Sequence, residues 1–108
     1  MHEREHLEDL AMQIIAGSGA ARGAVFEALA AAKQGAFERA DELITQADEL
    51  FVNAHKAHTE LVRLELSGKV AALTLILTHA QDHLMSSDLA RELVKEIIYL
   101  HRQNREAV

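Results

Sequence analysis

From Phe37 to Leu61 the chain follows a repeat that leaves its backbone little choice. Phe37, Ala40, Ile44, Ala47, Phe51, Ala54, His58 and Leu61 succeed one another at alternating steps of three and four residues. Only an α-helix brings such positions onto one stripe, and this spacing is that of a helix packed lengthwise against other helices. The intervening face, Glu38, Asp41, Glu42, Asp48, Glu49 and Lys56, is charged and reads as solvated surface. Composition extends the reading to the whole chain. Proline is absent, aromatic residues make up 4%, and 19 Ala with 15 Leu supply 34 of the 108 residues, a mixture that favours helix over strand. The fold class is all-α, and this length suits one domain over residues 1–108.

Two places interrupt the helical pattern, Gln34-Gly35 and Ser67-Gly68-Lys69, where glycine can take the left-handed conformation that closes a helix. Three segments of similar length result. The first is apolar at Leu7, Leu10, Ile14, Val25 and Leu29 but carries Gly17-Ser18-Gly19-Ala20-Ala21 and Gly23-Ala24. Glycines cost a helix about 1 kcal/mol each relative to alanine, yet small residues also let a neighbouring helix approach. The third runs Leu73, Leu77, Ala80, Leu84 and resumes as Leu93, Ile97, Leu100, with extra apolar residues at Leu75, Ile76, Met85, Val94 and Ile98. That is wider than one stripe requires, so a second buried face is expected. Asp88, after Ser86-Ser87, is able to cap a new helix, and periodicity alone leaves three or four helices open. Surplus apolar surface of this kind predicts self-association.

Lys and Arg number 11 against 17 Asp and Glu, a formal net charge of −6. With no Lys/Arg cluster, nucleic-acid binding is excluded and anionic membrane surfaces are disfavoured. The absence of cysteine removes disulfides, thiolate nucleophiles and cysteine-based zinc sites together. Residues 1–6 are charged, unlike a secretory signal, and the apolar stretch Val70–Ala80 is too short to cross a bilayer. A soluble, cytoplasmic protein is expected.

Chemistry concentrates in seven histidines: His2, His6, His55, His58, His79, His83 and His101. His2 and His6 stand near a terminus and read as solvent-exposed. His101 falls in the last helical turns, where an imidazolium complements the helix dipole. His79 and His83 differ, because a spacing of four puts both rings on one helical face, with Asp82 on its edge. Thr78 to Met85 form a polar island in an apolar helix, costly to bury without partners. A metal site would use both imidazoles but needs further ligands, for which only His55, His58 and carboxylates are at hand. A serine hydrolase would need an activating elbow around Ser86 that is missing. In a third reading a histidine is itself the nucleophile: an unperturbed imidazole, with a pKa of about 6.5, is largely neutral near pH 7 and accepts a phosphoryl group without a separate base. Metal site, phosphohistidine and structural role all remain open on these grounds.

His79-Ala-Gln-Asp-His-Leu-Met85 resembles the signature of the lactose/cellobiose-type (also chitobiose-type) IIA components of the bacterial phosphoenolpyruvate-dependent sugar phosphotransferase system. The likeness extends over Ser18-Gly19-Ala20-Ala21-Arg22, Glu27-Ala28-Leu29, Gly35-Ala36-Phe37, Ala54-His55 and Leu89-Ala90-Arg91-Glu92-Leu93. It implies an antiparallel three-helix bundle, helices about 3–33, 36–66 and 69–104, associating as a homotrimer. It further implies that the first helix continues through its glycines and the third through Ser86-Ser87. By the same resemblance His79 accepts a phosphoryl group from the carrier HPr and passes it to a cysteine of the cognate IIB component, with no direct membrane insertion. Gln81 and His83 flank the phosphoryl site. Asp82 lies near the three-fold axis and shares a metal ion, one Mg²⁺ per trimer, which fits the repulsion that three gathered carboxylates would otherwise suffer. Two positions depart from the family pattern: His58 stands where glutamine is frequent, on the buried stripe where it either packs or faces the site, and Thr78 where an aliphatic residue is common. The rival readings are a silent scaffold of the same fold and a bundle binding metal through His79 and His83.

Overall fold

The computed structural model describes residues 2–70 and 74–107 and consists there of three α-helices without a strand: α1 (His2–Lys33), α2 (Phe37–Leu66) and α3 (Leu75–Ala107). They run antiparallel in succession as a rod about 60 Å long. Each helix is about 30 residues, and α1 is continuous through Gly17, Gly19 and Gly23, as α3 is through Ser86-Ser87.

Both predicted breaks close in the same way. Gly35 has φ +82° and Gly68 φ +77°, conformations that side chains resist. At the first, the Ala36 N–H donates to the Ala31 carbonyl and the Gly35 N–H to the Ala32 carbonyl, both at 2.9 Å. At the second, the Lys69 N–H donates to Leu64 (2.9 Å) and the Gly68 N–H to Glu65 (3.1 Å). This paired pattern satisfies carbonyls that a helix end would otherwise leave bare.

The third helix begins later than the expected residue 69. Lys69 and Val70 are not helical, and Thr74 starts the helix: its hydroxyl accepts the Leu77 N–H at 3.2 Å and its carbonyl the Thr78 N–H at 3.0 Å. Threonine is a good N-cap because its oxygen takes one of the four N–H groups that a helix start cannot pair internally. Leu73, expected on the apolar stripe, lies outside the described residues. The helix also continues three residues beyond the expected 104.

α1 packs along both α2 and α3, whereas α2 and α3 touch over a shorter length. The reason is the stripe of α1: Leu10, Ala11, Ile14, Ser18, Ala21, Val25, Ala28 and Ala32 are all buried. Gly17 lies so close to α2 that an added Cβ would stand 3.3 Å from the Ala54 Cβ, so glycine here serves close packing. By length and composition Glu3–Lys33 is also apolar enough to span a bilayer, but its large apolar residues Leu10, Ile14 and Val25 are buried against α2 and α3.

On α2 the expected stripe is buried at Ala40, Ala47, Phe51, Ala54 and Leu61 and half-buried at Phe37, Ile44 and His58, and Leu43 and Ala57 join it. On α3 the second half of the expected stripe is corrected. Leu93, Ile97 and Leu100 are 55%, 40% and 63% exposed, while Val94 and Ile98 are buried. Steps of three and four from Leu84 lead through Ser87 and Arg91, two polar residues that disguise the continuation. Arg91 belongs there because its guanidinium lies 5.0 Å from the Phe51 ring centre and meets Asp48 at 2.8 Å and Asp88 at 2.9 Å. Its long side chain covers the aromatic ring while its charge is met by carboxylates.

Phe51 is the largest fully buried side chain, surrounded by a core that is otherwise rich in alanine. Phe51→Ala should therefore cost about 3–5 kcal/mol, read as a lowered urea midpoint at fixed protein concentration. A loss below 1 kcal/mol would mean that this core collapses around the hole.

Candidate functional site

The site is built on the first three turns of α3. Leu77, Ala80 and Leu84 anchor that stretch in the core, which turns His79 to the surface and leaves His83 half-buried. The two imidazoles meet edge to face, ring centres 5.4 Å apart and planes at 70°. Spacing by one helical turn makes this contact unavoidable. His83 is wedged against α1: its Cε1 would lie 3.6 Å from a Cβ on Gly19, and its Nδ1 is buried without a hydrogen-bond partner. Nε2 is the nitrogen left to outside groups. Even a Cβ on Gly19 would stand only at ordinary contact distance from the ring, so His83 packs beside α1 without crowding it.

Gln81 does not join this pair. Two residues from His79 on a helix, it points toward α2, where its Oε1 accepts a hydrogen bond from Nε2 of His58. These two residues and Leu61, Val62, Leu66 and Leu77 line a groove of about 320 Å³ between α2 and α3. The structure therefore separates the predicted residues into two groups: His79 with His83 on one side of α3, and His58 with Gln81 on the other.

Asp82 occupies a third direction. It is exposed, makes no ion pair among the described residues, and falls in line with exposed Leu75, Leu89, Leu93 and Leu100 on the face of α3 turned away from the core. Among the described residues no group of three or more His, Asp or Glu converges on a point where an ion could sit. The rival reading of a structural metal bundle, which needs three or four ligands from one chain, finds no such group among them.

The remaining histidines serve other contacts. His55 Nε2 stands 3.7 Å from Asp88 in the polar seam joining α2 to α3, which continues through Asp48–Arg91 and Asp41–Arg102 (3.0 Å). Burial opposes the charge of Arg91, but the hydrogen bond it donates to Asp48 and the charges of Asp88, Asp48 and Glu92 outweigh it and raise its pKa above the usual arginine value. His6 is 3.9 Å from Glu60, whose carboxyl is held below its ordinary range chiefly by the hydrogen bond from Arg63. His101 is half-buried near the end of α3, and the His2 side chain lies outside the described residues.

An exposed histidine paired with a second imidazole on an apolar-anchored helix is able to offer a nitrogen lone pair to an incoming group. Comparison with known proteins gives the family: residues 9–102 match the one described as PTS system, Lactose/Cellobiose specific IIA subunit. The chain belongs to this family. It is 42% identical over 100 residues to the PTS system lactose-specific EIIA component of Streptococcus mutans, an alignment covering 93% of this chain and 96% of that one. The crystal structure of the PTS cellobiose-specific enzyme IIA from Bacillus anthracis superposes with a TM-score of 0.89 at 39% identity, covering 93% of this chain and 92% of the other. The solution structure of the IIA(chitobiose)–HPr complex of Escherichia coli gives 0.73 at 39% identity, with coverage of 92% and 96%. As a IIA component the chain is a soluble phosphotransferase component that works through a phosphohistidine.

Proposed function

We propose that His79 is the phosphoryl acceptor of this IIA component, receiving the group from HPr in the cytoplasm and donating it to a cysteine of the cognate IIB component. The observation that carries the reading is the disposition of His79: exposed, in the family-matched region, and backed by a second imidazole 5.4 Å away. A relative of this chain has been solved in complex with HPr, which supports the choice of donor. In the first step the phosphorus–nitrogen bond to the donor's histidine breaks as a new one forms to His79. In the second, a thiolate takes the phosphoryl group and the imidazole returns neutral. Phosphoryl transfer needs alignment and charge stabilisation more than covalent help. His83, free at Nε2, supplies a donor toward the transferred oxygens. Gln81, held by His58, lies on the groove side, where it contributes to partner contact rather than to the phosphoryl group itself. Lactose, cellobiose and chitobiose each appear among relatives of similar identity, so sugar choice belongs to the partners.

We read the outer face of α3 as the interface of a homotrimer. Leu75, Leu89, Leu93 and Leu100 form an apolar stripe of a kind seldom left on a monomer. Three copies around an axis would gather three Asp82 carboxylates, hard oxygen donors that suit Mg²⁺ and that one chain cannot supply alone. An ion there would neutralise their repulsion and takes no part in transfer. Asp82→Asn should then give a trimer indifferent to EDTA, whereas the unaltered protein sediments as a weaker trimer after chelation. Equal EDTA sensitivity in both would remove Asp82 from the axis.

The function is tested by intact mass after incubation with phosphoenolpyruvate, enzyme I and HPr. A gain of one phosphoryl group, lost on acid treatment, is the expected result. No gain, with HPr shown to phosphorylate a known acceptor, would turn the reading toward a silent scaffold.

A further inference from the structure

We infer that His79 and His83 form a bidentate site for a borderline divalent transition ion of the zinc or copper class, whose occupancy blocks the phosphoryl acceptor. The argument starts from distance. An ion bound at about 2.1 Å from an imidazole nitrogen stands about 3.2 Å from that ring's centre, so two rings at a tetrahedral angle have centres about 5.2 Å apart. The observed separation is 5.4 Å. The helix places the two rings one turn apart, and His83 is half-buried beside α1 near Gly19. With Nδ1 of His83 buried, its Nε2 is the nitrogen an ion can reach, while His79 is exposed. Chelation then asks the exposed His79 ring to turn a nitrogen toward Nε2 of His83.

Ligand chemistry sets the class. Neutral imidazoles favour zinc, copper and nickel, whereas magnesium prefers carboxylate and water. The pair is therefore distinct in kind from Asp82, and the two would not compete for one ion. No third protein ligand converges on the pair among the described residues, so water completes the coordination and the ion exchanges. On binding, the aqueous ion gives up two waters and forms two metal–nitrogen bonds to neutral imidazoles. The lone pair that His79 gives to the ion is then lost to phosphorus. This consequence rests on His79 as acceptor, but the binding itself does not.

The test is calorimetric titration of the full chain with Zn²⁺ in excess Mg²⁺, in a His6→Gln background that breaks the terminal His2/His6 pair. One ion per chain is expected. His79→Gln and His83→Gln should each weaken binding at least tenfold, and Asp82→Asn should leave it unchanged. Circular dichroism confirms that each variant is folded. A His83→Gln variant that binds as well as its parent, or a loss confined to Asp82→Asn, overturns the site. In parallel, transfer from purified phospho-HPr is timed with and without Zn²⁺, and the ratio of the two rates is compared within each protein. That ratio should fall at least tenfold for the parent and much less for His83→Gln; equal ratios overturn the block. If the parent takes no phosphate even without Zn²⁺, the acceptor assignment fails while the calorimetry still decides the metal site.

Discussion

His79→Gln should abolish phosphorylation while leaving the helices and their assembly intact. Glutamine keeps much of the side chain's size and polarity but offers no nitrogen lone pair able to attack phosphorus at neutral pH. The position is exposed, and a surface substitution of this kind changes stability by no more than about 0.5 kcal/mol. The variant's far-ultraviolet dichroism and sedimentation should match the parent's, and its intact mass after treatment with the phosphorylated donor should show no added phosphoryl group. His83→Gln behaves differently. It retains the acceptor and loses one donor near the transferred oxygens, a loss on the order of a hundredfold in rate, so it should still reach full phosphorylation given time. The contrast between no product and slow product separates the nucleophile from its neighbour. Acid-labile phosphate persisting on His79→Gln would move the acceptor to His83 or His58. His58 is the less suited of these, since its Nε2 is engaged by Gln81 on the opposite side of α3.

What could be read from the chain before its structure follows a physical rule: local chemistry was legible, and composite surfaces were not. Gly35 and Gly68 announced helix ends because a left-handed residue is needed there whatever surrounds it. The α2 stripe was visible because most of one helix face packs into the core, and His58 on it turns to the groove. Thr74 escaped notice as a cap, since the apolar run around it masked a single hydroxyl whose role appears only when the Leu77 N–H reaches it. Arg91 hid the continuation of the α3 stripe, because a cation looks like surface until Phe51 and two carboxylates from different helices surround it. His79 and His83 were paired correctly by their spacing. Gln81 was set beside them by the family resemblance; a residue two positions along a helix faces another way, and here it meets His58 of α2. The family resemblance settled the continuity of α1 and α3, which periodicity had left undecided.

Leu93→Asp should convert the proposed three-chain assembly to single chains with little harm to each chain's fold. Within one chain Leu93 is 55% exposed, and its neighbours on the stripe, Leu89 and Leu100, are 60% and 63% exposed. The core on the other side of α3 is made by Leu84, Val94 and Ile98, none of which the substitution touches. In a trimer formed on this stripe the same change occurs three times around an axis. Removing each leucine forfeits about 2 kcal/mol of apolar burial, and each new carboxylate adds a desolvation cost at least as large. Mutual repulsion with Asp82, which lies on the same face, adds to it. Over three copies these terms come to about 12 kcal/mol per assembly, on the order of nine powers of ten in the association constant. Sedimentation should show the single-chain mass at concentrations where the parent is assembled, with helical dichroism unchanged apart from the stability that association itself contributes. A variant still running at the parent's mass would place the interface elsewhere and leave the leucine stripe to another partner. Its response to Mg²⁺ then discriminates further, since an axis without the stripe would have no reason to gather Asp82.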